Sequence, residues 1–447
     1  MMSLRRHEGL FPVQWERFGS FLNWTDPKDG TLTLIVVGCM SENSPMKDLQ
    51  RILRLWRGLE AEGADYVLAT VVAVEGPSYR KPGAGMLLAQ DGRRAGTVSG
   101  GCLEAEVARR SWWHTANGPS VQRYSTVEED GDRPYGSGCG GVVWLLLERR
   151  TTAALLLNAL DQAFLGRAPM AVATILEGDL VGSRAFAGLD SGQALVSPYL
   201  APSFAGADSL RVLAQQALES RSSAECGLTQ QGTKVRIWTD FRPARPGLWI
   251  FGAGDDAQPL LQMGKALGWY VTVADGRSHL ATRERFAVAD ETHVMSVEEM
   301  PSGRTAQSAK RPSALANLRP QDAVVVMTHS FEQDSRVLAS LMALEAQPAY
   351  IGVLGPQRRT KQLLAEAARL LDPGSDLDSS NVAKVERWLA ELHAPTGLDL
   401  GAESPETIAL SVVAEIQKSF AGATARPLSE VRGSASEISC QAALKPN

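Results

Sequence analysis

The stretch Leu248-Trp249-Ile250-Phe251-Gly252-Ala253-Gly254-Asp255-Asp256-Ala257 decides the fold of the second half of the chain. An apolar run that ends in G-x-G-x-x-A and leads into a helix-length segment is typical of the first turn of a dinucleotide-binding domain. Gly252 permits the tight turn, and Gly254 allows a pyrophosphate to approach the backbone. Asp275 follows the next apolar run, where a ribose-binding acid belongs, so these residues are candidate contacts for a nicotinamide cofactor, NAD(P).

The segments that follow this turn alternate between strand and helix patterns. The predicted strands are 270–274, 323–328 and 350–353, and the predicted helices are 258–267, 334–344 and 359–368. This alternation is typical of βαβ units and predicts a C-terminal Rossmann-like domain with a parallel sheet over 248–425. Asp255 and Asp256 complement the helix dipole themselves and would repel a dinucleotide, so glycines that serve only packing remain the alternative.

The chain before this domain divides into three further parts. Strand and helix patterns over 46–240 mix hairpin signals with helices, which predicts an N-terminal mixed α/β domain. Residues 241–247, with two prolines, form a predicted linker. Residues 1–45 lack a sustained period and are expected to be a poorly ordered extension, and 426–447 to be a disordered tail.

Composition excludes several classes of function. The 447 residues include 45 Lys+Arg and 50 Asp+Glu, a net charge of −5, and carry no basic block, so we expect no nucleic-acid binding. No apolar run approaches the roughly 18 residues that span a bilayer, so no membrane association is expected. Five scattered cysteines, an odd number, do not suit a disulfide scaffold and favour a reducing, cytoplasmic location.

Two glycine-rich loops of the first domain each carry a cysteine. Ser99-Gly100-Gly101-Cys102-Leu103-Glu104 leads into a predicted helix, whose dipole lowers a thiol pKa and favours the Glu104 carboxylate. The loop Gly136–Gly141 contains Cys139 and Gly140, and its glycines allow backbone N–H groups to turn toward an anion. Neither cysteine stands at a zinc-ligand spacing. For each, the alternative is a small buried apolar side chain.

Two polar clusters follow strands of the predicted parallel sheet. Thr328–Asp334 includes His329, a candidate general acid or base, although a turn that caps a helix explains the same pattern. Gly355–Arg359 includes Arg358, a candidate anion contact, although a solvated pair of arginines is the alternative. Both clusters belong at the carboxyl edge of the sheet, where parallel sheets bind ligands.

These motifs, in this order, resemble the XdhC/CoxI family of accessory proteins, which serve xanthine dehydrogenase and carbon monoxide dehydrogenase. The resemblance covers about residues 47–420. It rests on the segments 74–83, 99–104, 138–141, 251–254, 275–277, 328–334, 351–355 and 397–403.

The resemblance implies a chaperone for the molybdenum cofactor (Mo-molybdopterin), which is carried and not used. Such a protein protects the cofactor, supports its sulfuration by a cysteine desulfurase, and inserts it into an apo-molybdenum hydroxylase of the xanthine or CO dehydrogenase type. The family's cofactor-binding cysteine is carried over to Cys102, with Cys139 second, and a thiolate is a soft ligand suited to molybdenum. The resemblance also suggests a homodimer. An NAD(P)-dependent oxidoreductase and a structural adaptor remain the alternatives to this non-enzymatic role.

Overall fold

The computed structural model describes residues 21–26, 30–35, 46–125, 141–189, 207–230, 233–296, 312–372 and 379–431. They divide into two compact units, one ending at Pro243 and the other starting at Ala244, with residues 46–50 grouped with the second. This division falls inside the segment 241–247, for which the sequence predicts a linker.

The described residues begin with an antiparallel hairpin of β1 (Phe21–Asp26) and β2 (Gly30–Ile35), followed by helix α1 (Met46–Glu62). The hairpin lies in the segment 1–45, for which the sequence predicts no regular structure. Its strands are hydrogen-bonded only to each other within their two-stranded sheet. Such pairing depends on two short segments meeting and leaves little periodic signal in either one.

The first sheet of the first unit has five strands, all antiparallel to their neighbours. Its elements are β3 (Tyr66–Glu75), β4 (Gly85–Ala89), β5 (Arg94–Gly96), α2 (Glu104–His114), β6 (Ser120–Ser125) and β7 (Val142–Arg149). The spatial order is β5-β4-β3-β7-β6. A β-bulge between Val71 and Ala73 interrupts the pairing of the two central strands.

The second sheet has four antiparallel strands in the order β10-β11-β8-β9. Its elements are α3 (Arg150–Gly166), β8 (Met170–Ile175), β9 (Arg184–Ala187), α4 (Ala207–Ser220), β10 (Ala224–Gln230) and β11 (Thr233–Arg242). The two sheets make the first unit a mixed α/β domain, as predicted.

An apolar cluster and a buried ion pair join the two sheets. Val72 and Leu146 of the first sheet pack with Leu176 and Trp238 of the second. Beside them, Arg184 of β9 donates from Nη2 to both oxygens of Glu148 of β7, at 2.8 and 2.7 Å. The two side chains are 1% and 0% exposed. The sheets are therefore fixed to each other by a charge pair that has no access to water.

The second unit contains a five-stranded parallel sheet with the order β14-β13-β12-β15-β16. Its strands are β12 (Gly247–Phe251), β13 (Tyr270–Asp275), β14 (Glu291–Val294), β15 (Ala323–Val326) and β16 (Tyr350–Val353). Its helices are α5 (Ala257–Ala266), α6 (Phe331–Met342), α7 (Gln357–Leu371), α8 (Ser379–Glu391) and α9 (Pro405–Ala421). This order reverses between β12 and β15, as in a Rossmann fold, so the predicted fold class is confirmed.

Gly252 shows why the turn after β12 needs glycine. Its φ is +136°, and a β-carbon there would lie 2.4 Å from the carbonyl oxygen of Met327, which follows β15. Both the backbone conformation and the close approach of two strand ends exclude a larger residue.

Among the described helices, none is long and apolar enough to span a membrane.

We expect breaking the buried Glu148–Arg184 pair to lower the free energy of unfolding much more than breaking an exposed charge pair does. Arg184→Met leaves a carboxylate unpaired between the sheets, so we expect a loss of about 3–5 kcal/mol. This corresponds to a drop of roughly 6 to 20 °C in the unfolding midpoint of the first unit, measured by scanning calorimetry. Arg109→Met is the control, because Arg109 pairs with Glu106 while 67% exposed, and such pairs contribute about 1 kcal/mol or less. Equal unfolding midpoints for the two variants would contradict the prediction that the buried pair stabilises the first unit more than the exposed pair does.

Candidate functional site

Three motifs of the first unit meet at the segment that follows β3. A β-carbon on Gly100 would lie 3.2 Å from Cδ1 of Tyr79, and one on Gly141 would lie 2.1 Å from the carbonyl oxygen of Pro77. The cysteine loop 99–104 and the end of the second glycine loop therefore both pack against residues 77–79. The structure thus brings together the motifs that the sequence separates by some 60 residues.

Glu104 lies beneath the cysteine loop and holds its shape. One carboxylate oxygen accepts the backbone N–H groups of Val98 and Ser99 at 3.1 and 2.9 Å, and the other accepts the Ser99 hydroxyl at 2.7 Å. The Ser99 oxygen in turn accepts the N–H groups of Gly101 and Leu103 at 3.3 and 3.0 Å. The loop is therefore closed around a carboxylate that is 4% exposed.

The pKa of Glu104 reflects these contacts. Burial alone would raise it, but the hydrogen bonds from Ser99 and from the backbone outweigh burial and hold the pKa below its ordinary value. The carboxylate is thus charged at neutral pH and faces the loop interior. Glu104, a predicted cofactor contact, is placed as a residue that positions the loop.

Cys102 is exposed on this loop, two residues before helix α2. Gly101 next to it has a φ of +120°, which glycine adopts without strain. Cys226 has the opposite environment: it lies in the core of the second sheet, and burial raises its pKa to about 11. Cys139 and Gly140 lie outside the described residues.

A cleft of about 350 Å³ lies between the two sheets of the first unit. Six of its lining residues are Val72, Ala73, Glu75, Trp144, Arg236 and Trp238. The Trp144 indole N–H donates to Glu75 at 3.3 Å, and the Arg236 guanidinium lies over the indole ring, 5.9 Å from its centroid. The sequence does not predict this cleft, because its walls come from strands far apart in the chain. Trp144, a tryptophan among the aliphatic residues of β7, was the feature of the sequence that could have indicated a ligand cleft.

At the carboxyl edge of the parallel sheet, the Asp275 carboxylate is directed inward. Its side chain is 0% exposed, accepts the Ala253 N–H at 2.7 Å, and pairs with the Arg277 guanidinium at 2.7 Å. Burial would raise the pKa of Asp275, but these hydrogen bonds hold it below its ordinary value of 3.8. The carboxylate for which the sequence predicts a ribose contact therefore anchors the glycine turn and Arg277, and its role as a ligand contact stays a prediction.

The crevice between β12 and β15, where the strand order reverses, is bridged by a side-chain pair. His329 Nε2 lies 2.7 Å from Asp256 Oδ2, and His329 has a φ of +61°, which non-glycine residues rarely adopt. Asp256 also folds back over the turn, since a β-carbon on Gly254 would lie 2.5 Å from its Oδ1. A carboxylate thus lies against the glycine turn just before α5, where its charge would repel a pyrophosphate.

The two remaining predicted clusters are partly structural. Asp334 is fully buried, accepts the N–H and hydroxyl of Thr328, and pairs with Arg359 at 2.6 Å. Ser330 caps α6, so the Thr328–Asp334 motif does form a capping turn. Arg358 is exposed, and its role as an anion contact stays a prediction.

Among the described residues, no group of three acidic, histidine or cysteine side chains could hold a metal ion.

Comparisons with known proteins match both units. A family model described as the XdhC and CoxI family matches residues 59–125, and one described as the XdhC Rossmann domain matches 248–416. A probable xanthine dehydrogenase subunit of Bacillus subtilis (strain 168) is 31% identical over 367 residues, covering 78% of this chain and 92% of the relative. The molybdenum cofactor insertion chaperone PaoD of Escherichia coli (strain K12) is 26% identical over 381 residues, covering 83% and 88%.

A solved structure is also similar. The crystal structure of a xanthine dehydrogenase from Bacillus halodurans matches with a TM-score of 0.59 and 27% identity. The match covers 85% of this chain and 98% of that chain.

The environments of Cys102 and Cys226 predict selective alkylation. Iodoacetamide at pH 7.5 is expected to modify the exposed Cys102 thiol and to spare Cys226, which burial keeps protonated and enclosed. Peptide mapping by mass spectrometry after a short pulse measures both sites. Equal labelling in the native protein would contradict the described environments, and labelling of both in urea serves as the control.

The inward carboxylate of Asp275 predicts a pH-dependent contribution to stability. Because its folded pKa is lowered, it stabilises the second unit above about pH 4, and this contribution is lost as the pH falls through the folded pKa. Asp275→Asn points an amide at Arg277 and should cost about 1–3 kcal/mol at pH 7. Urea unfolding of both proteins from pH 7 down to pH 3 should show the difference shrinking. Asp255→Asn, at a side chain 98% exposed, is the control, and a difference independent of pH would contradict the prediction.

Proposed function

This chain belongs to the XdhC and CoxI family, and we propose that it is a maturation chaperone for the molybdenum cofactor. In this role it binds the cofactor, protects it, and inserts it into an apo-molybdenum hydroxylase of the xanthine or CO dehydrogenase type. The observation that carries the proposal is the exposed Cys102 thiol on a loop that Glu104 holds in one shape. The similarity to PaoD, a molybdenum cofactor insertion chaperone, supports it.

The chemistry of the loop suits this cargo. A thiolate is a soft ligand for molybdenum, and glycine-rich backbone at a helix start can present N–H groups to a phosphate. Exposure of the thiol leaves the bound cofactor accessible to other proteins. We propose that a cysteine desulfurase delivers sulfur there, that the apo-hydroxylase accepts the cofactor there, and that the protein acts as a cytoplasmic homodimer.

An NAD(P)-dependent oxidoreductase is the second candidate, favoured by the G-x-G turn of the second unit. Three observations weigh against it. The Ala253 N–H donates to Asp275, the Asp275 side chain is buried, and the Asp256 carboxylate lies against Gly254. A ribose would therefore meet no exposed Asp275 oxygen, and a pyrophosphate would meet a negative charge at the glycine turn.

The proposal predicts that cofactor retention depends on Cys102. Wild-type protein purified from a molybdenum-replete host should carry molybdenum and pterin, and Cys102→Ala should lose at least about 90% of both, because the thiolate ligand is removed. Metal analysis and fluorescence of the oxidised pterin measure the two components. Cys226→Ala is the matched control, since it deletes a buried thiol from the same unit.

Two results would count against the proposal. If Cys102→Ala retained as much cofactor as the wild type, the Cys102 thiol would not be a cofactor ligand. If the wild type carried no cofactor, the proposed chaperone role would be wrong. Saturable binding of NAD(H) or NADP(H), with turnover, would favour the oxidoreductase instead.

A further inference from the structure

The cleft between the two sheets of the first unit has the form of a ligand site that the cysteine loop does not account for. Its volume of about 350 Å³ is within the range of small-molecule pockets. The β-bulge between Val71 and Ala73 stands at its wall, and bulges occur often beside binding sites because they redirect side chains. The floor is apolar, with Trp238 only 4% exposed.

Flat surfaces form one side of the cleft. The Trp144 indole is half-buried, and the Arg236 guanidinium lies over its ring. Glu225 and Glu177 hold that guanidinium at 2.8 and 3.1 Å, so it is fixed as a plane. Indole and guanidinium planes are the surfaces on which proteins stack heteroaromatic rings.

Glu75, which we call the rim of the cleft, is an exposed hydrogen-bond acceptor of the lining. One of its oxygens accepts the Trp144 N–H at 3.3 Å. A carboxylate has about four lone-pair sites, and the Trp144 N–H occupies one of them, so most of the accepting capacity of Glu75 is available to a ligand. The rim therefore selects a ring whose edge presents N–H donors.

We propose that this cleft binds the ring of a 2-amino-4-oxo-pyrimidine-fused heterocycle, with Glu75 accepting the amino and amide N–H groups of its edge. Pterins and guanine share this edge. The inference rests on the proposed function, which supplies a pterin as the cargo. It adds to Cys102 a second contact region, a cleft in which Glu75 comes from the motif 74–83 and Trp144 and Arg236 lie outside the family motifs.

The position of Glu75 supports this assignment. Glu75 and Tyr79 are four residues apart, so their α-carbons lie within about 14 Å even in fully extended chain. Gly100 of the cysteine loop packs on Tyr79. The rim of the cleft and the cysteine loop are thus linked through one short segment of chain.

The test uses the full-length protein purified from a host that cannot make the cofactor. Pterin and lumazine are titrated in turn and followed by ligand fluorescence. Lumazine carries a carbonyl in place of the 2-amino group, so the wild type should bind pterin at least about 10-fold more tightly. Glu75→Gln should weaken pterin binding roughly 10- to 100-fold and abolish this preference. Trp144→Leu should weaken both ligands about equally, by roughly 10-fold or more.

Trp113→Leu is the matched control, because Trp113 is a tryptophan of the same unit, 74% exposed on α2 and not part of the cleft wall. Its affinities should equal those of the wild type, and unchanged unfolding midpoints should accompany every variant. Guanosine is the third ligand. Tighter binding of guanosine than of pterin would overturn the pterin assignment in favour of a purine.

The outcomes separate this inference from the proposed function. Wild-type protein that retains the cofactor through Cys102 but binds no pterin in the cleft would overturn only the inference. Pterin binding that Glu75→Gln and Trp144→Leu leave unchanged would overturn it as well. Pterin binding with the predicted pattern, in a protein that never retains molybdenum, would overturn the proposed function and leave the cleft assignment standing.

Discussion

Buried carboxylates that accept backbone N–H groups hold the loops on which both units depend. Glu104 binds the amides of Val98 and Ser99, Asp275 binds that of Ala253, and Asp334 binds that of Thr328. Loop amides have no partner in a strand or helix, and leaving one buried and unpaired costs about 1–3 kcal/mol. Charge-assisted hydrogen bonds meet this requirement and set the loop conformation at the same time. The strand ends of this protein are therefore fixed before any ligand arrives.

These buried carboxylates have different consequences in the two units. In the first unit, Glu104 turns inward and the loop that it closes presents Cys102 outward. In the second unit, Asp275 accepts the Ala253 N–H of the glycine turn, and the Asp256 carboxylate lies against Gly254. The glycines of this turn also serve close packing, as the 2.4 Å approach at Gly252 illustrates.

The sequence predicted the fold well where the signal is local. The apolar strands β12 and β13 and the amphipathic helices α5, α6 and α7 were predicted because each carries its own periodicity, whereas α8 and α9 were not predicted. The short strands β9 and β14 and the polar strand β6 were missed, because pairing with a neighbour and not residue pattern makes them strands. For the site, the sequence identified the Cys102 loop but not the Trp144 cleft. It assigned Asp275 to a ligand, and spacing alone could not show that this carboxylate binds the Ala253 N–H and Arg277.

The sequence by itself determined the division into a mixed α/β part and a Rossmann-like part, the glycine turn after β12, and the cysteine at the start of α2. These depend on residue type and spacing within short segments. Only the tertiary structure decided that Glu104 and Asp275 face inward and that Trp144, Glu75 and Arg236 share one cleft. The physical reason is that the residues lining the cleft come from segments as far apart as Val72 and Trp238, which meet only when the two sheets pack.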